Sequence, residues 1–178
     1  FIDEILRLMD RDEIEYSLLI ATPGLSFRGY EMGNNKDVLK AVKAYPDRFI
    51  GCMYIDPRSH DSIETITQYS NEGFKCIKLF PPVGFYPDEP RFAPVFEYIN
   101  ELKLPVLCHT GQTNIPYVHN DSNRRQATNS VFAQPIYLDG PARLYPDITF
   151  IIAHMGYPFN LQAWSVSINP NVYLDLSG

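Results

Sequence analysis

Two of the four histidines, His109 and His154, stand in closely similar settings. Each follows a short apolar run and a small residue, Cys108 or Ala153, and each is followed by one residue and then by Gly111 or Gly156. An imidazole at the last position of an inward-facing strand, with glycine behind it to let the chain turn, presents a ring nitrogen to whatever lies beyond the strand end. That placement suits a metal ligand or a general base. Either histidine alone reads equally well as a partly buried ring satisfied by one hydrogen bond, and it is the repetition that points to chemistry. Lys78, in the run Cys76-Ile77-Lys78-Leu79, is the third candidate. An ammonium in an apolar strand must pair, lose its charge or be modified. A substrate carboxylate partner, a carbamylated metal bridge and a structural ion pair all fit it.

Asp175 lies near another strand end, where a carboxylate can accept a hydrogen bond from a metal-bound imidazole. Asp56, followed by Pro57, reads instead as a turn residue, and His60 in Ser59-His60-Asp61-Ser62 as a solvated helix entry. His119, with Arg124 and Arg125 close behind, offers contacts to an anionic substrate. The plainer reading of that segment is a polar surface loop.

The elements that must position these residues alternate along the chain. Apolar, β-branched runs at Glu15 to Thr22, Phe49 to Asp56, Lys75 to Pro81, Pro105 to Thr110, Thr149 to His154 and Val172 to Ser177 predict six strands. Between them, apolar residues recur at helical intervals over Lys36 to Ala44, Asp61 to Asn71, Arg91 to Lys103, Asp139 to Tyr145 and Leu161 to Ile168. Strands apolar on both faces predict a parallel sheet covered by helices. Tyr-Pro-Asp at 45–47 and 145–147 and Leu104-Pro105 mark the helix-to-strand turns, since proline stops a helix and starts an extended segment. The opposite strand ends carry polar residues, Pro or Gly, which is the edge where α/β sheets place their chemistry. Two longer loops, Pro82 to Pro90 and Gly111 to Pro135, leave that edge as candidate substrate walls. Periodicity does not decide between a barrel and a doubly wound sheet, but no GxGxxG or GxxxxGK[ST] loop follows any strand.

Composition narrows the classes. A chain of 178 residues, 45% of them hydrophobic, predicts a single domain around one core. No apolar stretch approaches the roughly 20 residues that cross a bilayer. The net charge of −6 comes from interspersed acids and bases with no basic patch, which argues against nucleic acid as a partner. Cys52, Cys76 and Cys108 each fall in a strand-like run without CxxC spacing, so free buried thiols and a reducing, cytoplasmic setting are expected. The sequence opens inside an apparent helix, Ile2 to Met9, without an initiator methionine or signal pattern, so Phe1 is not expected to be the first residue of its gene.

Several segments, in order, resemble the amidohydrolase-related (amidohydrolase 2) family: Tyr45-Pro46-Asp47-Arg48-Phe49, Gly73 to Leu79, Pro105-Val106-Leu107-Cys108-His109-Thr110-Gly111, Ile152-Ala153-His154-Met155-Gly156 with Pro158, and Asn171 to Gly178. The resemblance implies a metal-dependent (β/α)8 TIM barrel, with hydrolases and nonoxidative decarboxylases of the aminocarboxymuconate-semialdehyde type among its members. It implies that His109 is a metal ligand on the fifth strand. His154, on the sixth, is then a second ligand or the residue that activates water or donates a proton. The six strands become the second to the seventh of a single barrel domain over 1–178 that lacks the first and last strands. The family's first-strand His-x-His or Glu-x-His pair and its eighth-strand aspartate then lie outside the chain, so a fragment of this extent can be metal-free.

The expected function is hydrolysis of a small carbonyl compound, an amide, lactone or related ring, by water activated at a divalent ion, with zinc expected. His154 and Asp175 are its catalytic residues, His109 and His154 its metal ligands, and Lys78, His119 and Arg124 its substrate contacts. Decarboxylation at the same site is the alternative, and a noncatalytic small-molecule-binding barrel is the second. The partner expected is a small-molecule substrate; a homo-oligomer is compatible with this reading.

Overall fold

The computed structural model describes residues 2–22, 26–27, 30–31, 33–113, 117–118, 125–126 and 128–177. Its centre is a six-stranded sheet: β1 (Ser17–Ile20), β2 (Phe49–Tyr54), β3 (Cys76–Leu79), β4 (Val106–Cys108), β5 (Phe150–Ile152) and β6 (Val172–Leu174). The spatial order follows the sequence order and every pairing is parallel. A doubly wound sheet reverses its strand order at a switch point. This one never does, which is the progression of a (β/α) barrel. Helices α1 (Ile2–Arg11), α2 (Asn35–Ala44), α3 (Ser62–Asn71), α4 (Ala93–Leu102), α5 (Asp139–Leu144) and α6 (Asn160–Val166) complete the alternation.

All six expected strands and the five inter-strand helices are present; the strands are shorter than expected, while α2 and α6 each begin one residue before the expected start. The trimming of β5 is instructive. The periodicity predicts a strand to His154, but β5 stops at Ile152, because His154 (φ 57°) and Met155 (φ 49°) take left-handed backbone that no strand accommodates. The helix expected from Arg91 begins at Ala93, after a 3-10 turn over Pro90–Phe92.

Side chains alternate across the strands and so divide into two layers. Met53, Ile77, Leu79, Val106, Cys108, Phe150, Ile152 and Val172 face the helices and join Ile66, Phe96, Ile99, Ala163 and Val166 in the main core. Cys52, Cys76, Leu107 and Ala153, with Ile151, line the other face as a smaller cluster. The three cysteines are free and buried, as the sequence predicts.

The helix-to-strand turns hold the register. Before β6, Asn171 inserts its Nδ2 among three carbonyls, donating to Ala142 O at 3.0 Å, Tyr145 O at 3.3 Å and Ile148 O at 2.9 Å. This ties the end of α5 and the Tyr-Pro-Asp turn to the strand that carries Asp175. Leaving such carbonyls unpaired costs about 1 to 3 kcal/mol. Asn171→Ala is expected to lower unfolding free energy by about 2 kcal/mol in urea titrations; a change inside the roughly 0.5 kcal/mol typical of surface sites would show the turn to be held otherwise.

Candidate functional site

The carboxyl ends of β3, β4, β5 and β6 bring Lys78, His109, His154 and Asp175 to one rim of the sheet. His109 extends β4 by one residue, its N–H donating to Leu79 O at 2.9 Å. Its ring is buried between Phe80, 4.7 Å away between centroids, and His154, 5.0 Å away at an interplanar angle of 67°. Among the described residues His109 Nε2 has no hydrogen-bond partner. An unpaired buried polar atom is costly and rare, so this nitrogen points to a ligand. Burial, with Lys78 and His154 adding to it, lowers the His109 pKa to about 3, so the ring is neutral at physiological pH and can offer a lone pair.

His154 reaches the same place by a different route. Continued alternation from Ile152 would turn it toward the helices; the left-handed backbone at 154–155 ends the strand and brings the ring beside His109. The two histidines therefore do not occupy equivalent strand positions, as their similar sequence settings suggest: Cys108 lies in the helix-side core and Ala153 in the inner cluster. What holds the turn is Asp175. Its backbone pairs with Ile152 O and Met155 N, both at 2.9 Å, and its Oδ2 accepts from His154 N at 3.3 Å. Ser177 donates to the carboxylate from its N–H, at 3.1 Å to Oδ1, and from its hydroxyl to Oδ2. Burial alone would raise the Asp175 pKa, but these hydrogen bonds and the nearby His154 outweigh it and hold the group below its ordinary value. Asp175 is thus an ionised anchor for the His154 backbone.

The Ser177 carbonyl lies 2.9 Å from His154 Nδ1. A carbonyl only accepts, so Nδ1 carries the proton and Nε2 is left with a lone pair, the tautomer a metal-binding histidine needs. Ser177 carries no signal in a linear reading beyond its place two residues after an aspartate, a common turn spacing.

The loops behind the histidines are fastened together. Thr110 Oγ1 donates to Ala153 O at 2.5 Å, Gln112 N to Tyr157 O at 2.8 Å, and Gly111 N to Ala133 O at 2.8 Å. A Cβ at Gly111, which has φ +85°, would lie 2.2 Å from Tyr157 O. Glycine is required there. The two expected wall loops also meet: Tyr86 packs on Phe132 and Tyr137, at 4.7 and 4.4 Å between ring centroids, and Asn129 N donates to Pro82 O at 2.9 Å.

Lys78 is buried on the inner face and makes no ion pair among the described residues, so the structural ion-pair reading has no partner there. Burial lowers its pKa. Burial pushes the Cys108 thiol up to about 12, which keeps it inert. Asp56 holds Arg58 through a 2.6 Å ion pair and caps the Arg58 N–H, the turn role expected of it, and His60 is exposed. His119 and Arg124 lie outside the described residues.

The donors present suit a divalent ion: His109 Nε2 is buried and unpartnered, and His154 Nε2 is freed by the bond at Nδ1. Among the described residues no group of three or more His, Cys, Asp or Glu side chains forms a metal cluster, so this rim contributes two imidazoles. A catalytic zinc site takes about three protein ligands and a water.

The amidohydrolase family model matches residues 27–178, and the chain belongs to that family. No curated protein matches it. Among solved structures it is similar to an uncharacterized TIM-barrel protein from Bordetella bronchiseptica, with a TM-score of 0.79 and 20% identity, covering 98% of this chain and 59% of that one. It is similar to a probable 2-pyrone-4,6-dicarboxylic acid hydrolase from Acinetobacter baumannii, solved with citric acid, with a TM-score of 0.68, 17% identity and coverage of 100% and 60%. It is also similar to a 5-carboxyvanillate decarboxylase from Novosphingobium aromaticivorans, solved with manganese, with a TM-score of 0.64, 23% identity and coverage of 91% and 52%. The chain spans about three fifths of the first two proteins' lengths. The fold is that of a TIM barrel, with six parallel strands among the described residues.

The buried neutral His109 has a consequence for stability. Its folded pKa, about 3, lies below the ordinary histidine value of 6.5. Between those values the unfolded chain binds a proton that the folded chain does not, so stability falls as pH falls, by about 1.4 kcal/mol per pH unit for one group. In chelator, the dependence of unfolding free energy on pH between 6 and 4 is expected to lose about one proton in His109→Asn. An unchanged slope would show His109 to be solvated.

Proposed function

We propose that this chain forms strands two to seven of a metal-dependent barrel hydrolase acting on a small carbonyl compound such as an amide or lactone. The carrying observation is the buried, unpartnered Nε2 of His109 beside the His154 ring at the carboxyl rim of a parallel sheet. His109 and His154 would hold a divalent ion, for which zinc suits two imidazoles. Such an ion supplies Lewis acidity and, for its water, a pKa of about 7.

The chain's own residues have separate tasks. His109, neutral and sealed against Phe80, stays unprotonated over the working pH range. Where His109 would hold the ion without His154, the free His154 Nε2 is the group able to receive a proton, its orientation fixed at Nδ1 by Ser177 and at the backbone by Asp175. Lys78, which makes no ion pair among the described residues, binds the negative end of the substrate in this reading, and His119 and Arg124 add to that binding.

Decarboxylation is the second reading. It is favoured by Lys78, which makes no ion pair among the described residues, on the same rim as His109, a place for a carboxylate beside a proton-transfer group, and by the likeness to a carboxyvanillate decarboxylase. Incubation with lactones and with hydroxybenzoates separates the two, since carbon dioxide release without net hydrolysis rejects the first. His109→Ala is expected to lower bound metal, measured by elemental analysis. His154→Ala is expected to lower kcat by about 10²- to 10⁴-fold, the range of general acid–base groups. Unchanged metal content in His109→Ala removes that residue from the ligand set.

A further inference from the structure

Tyr54 stands at the end of β2 and is the register partner of Lys78 on β3. Their side chains share a face. Two residues back, Cys52 and Cys76 pair in the inner cluster, and one residue back, Met53 and Ile77 pair in the helix-side core, so alternation returns both Tyr54 and Lys78 to the inside of the sheet. Neighbouring strands lie about 4.8 Å apart, and two long side chains rising from paired residues can reach one small anion together.

The backbone holds Tyr54 at this position. β1 ends at Ile20, in register with Cys52, and beyond it the side chain of Asn35, at the start of α2, takes the place of a neighbouring strand. Tyr54 N donates to Asn35 Oδ1 at 2.7 Å, and Asn35 Nδ2 donates to Tyr54 O at 3.0 Å. Both main-chain groups of the tyrosine are thereby satisfied at the rim itself, where the strand would otherwise fray. The ring is half-buried.

Lys78 sets the chemistry of the place. It is 8% exposed, and its amine makes neither an ion pair nor a hydrogen bond among the described residues. Asp175 acts on it from β6, but that carboxylate already accepts from His154 N and from Ser177. A buried ammonium without a partner is costly, and a bound anion removes that cost. A carboxylate suits both neighbours. One of its oxygens meets the ammonium while the other accepts from the phenolic hydroxyl, each a charge-assisted hydrogen bond.

We propose that Tyr54 and Lys78 together form a carboxylate-binding subsite, in which the Tyr54 hydroxyl donates to the same carboxylate that Lys78 neutralises. Tyr54 is then a specificity residue, favouring a carboxylate over an uncharged group of the same shape. The subsite rests on the reading of this rim as the substrate site and is independent of which reaction follows there.

Benzoate and benzamide have nearly the same shape and differ in charge, so they probe the subsite without turnover. In calorimetric titrations of the full-length, metal-loaded protein, benzoate is expected to bind more tightly than benzamide. Y54F keeps the ring and loses the donor. It is expected to weaken benzoate by about 10- to 100-fold, the worth of a hydrogen bond to a charged group, and to leave benzamide nearly unchanged. K78M is expected to abolish the preference for benzoate. Equal benzoate affinity in wild type and Y54F overturns the proposal even where K78M weakens binding, since Lys78 then acts alone. An equal loss of both ligands in Y54F also overturns it, because the residue is then one of packing. A K78M protein that keeps the wild-type preference overturns it and removes Lys78 from the substrate site as well. So does a wild-type protein that binds neither ligand below about 10 mM, weaker than the millimolar range of a small-molecule site. The outcome of the lactone and hydroxybenzoate incubations leaves these affinities untouched, so the two tests fail separately.

Discussion

The approach of two rim loops at Gly111 is the constraint on which the rest of the site depends. The segment after β4 passes so close to the segment after β5 that a methyl group at 111 would overlap the Tyr157 carbonyl, and the hydrogen bonds from Thr110, Gly111 and Gln112 exist because that methyl is absent. Two imidazoles on adjacent parallel strands are about 5 Å apart at the strand axes only if the chain past the strands keeps them together. The 5.0 Å ring separation of His109 and His154 is that distance preserved beyond the sheet. A wider passage would let each ring swing independently.

Asp175 does on the other side what Gly111 does on the first, by charge instead of by space. Three consecutive residues, His154, Met155 and Gly156, have positive φ. For the first two this is strained, at a cost on the order of 1 to 3 kcal/mol each. Asp175 offsets part of that strain by pairing with the backbone at 152, 154 and 155, and Ser177 both supports the carboxylate and selects the tautomer of His154. The strain has a purpose in this arrangement: an unstrained continuation of β5 would direct the ring toward the helices, away from His109.

This division explains what was legible in the sequence. Strand and helix positions follow from side-chain period, and the polar carboxyl ends follow from where the apolar runs stop, so the six strands, the rim and the residues Lys78, His109, His154 and Asp175 were all visible in one dimension. The route by which His154 arrives was not. Ala153-His154 looks equivalent to Cys108-His109 until parity is counted in space, because period alone cannot announce a left-handed residue that is not glycine. Phe80 and Ser177 were missed for a related reason: each acts on a histidine far along the chain, and neither type is chemically conspicuous. The wall loops were recognised as loops, but the Tyr86, Phe132 and Tyr137 packing that joins them depends on tertiary contact.

The lysine shows how the layers combine. On a single strand, Lys78 is an anomaly, a costly cation among apolar residues. In the sheet it sits on the same inner face as Cys52 and Cys76, whose small uncharged side chains leave room for its stem without giving it a counter-charge. It also acts on His109 across one strand, favouring the neutral ring. An acidic neighbour would have satisfied the amine and weakened that influence. Burial is the larger cause of the neutral His109 ring, and the Lys78 charge adds to it.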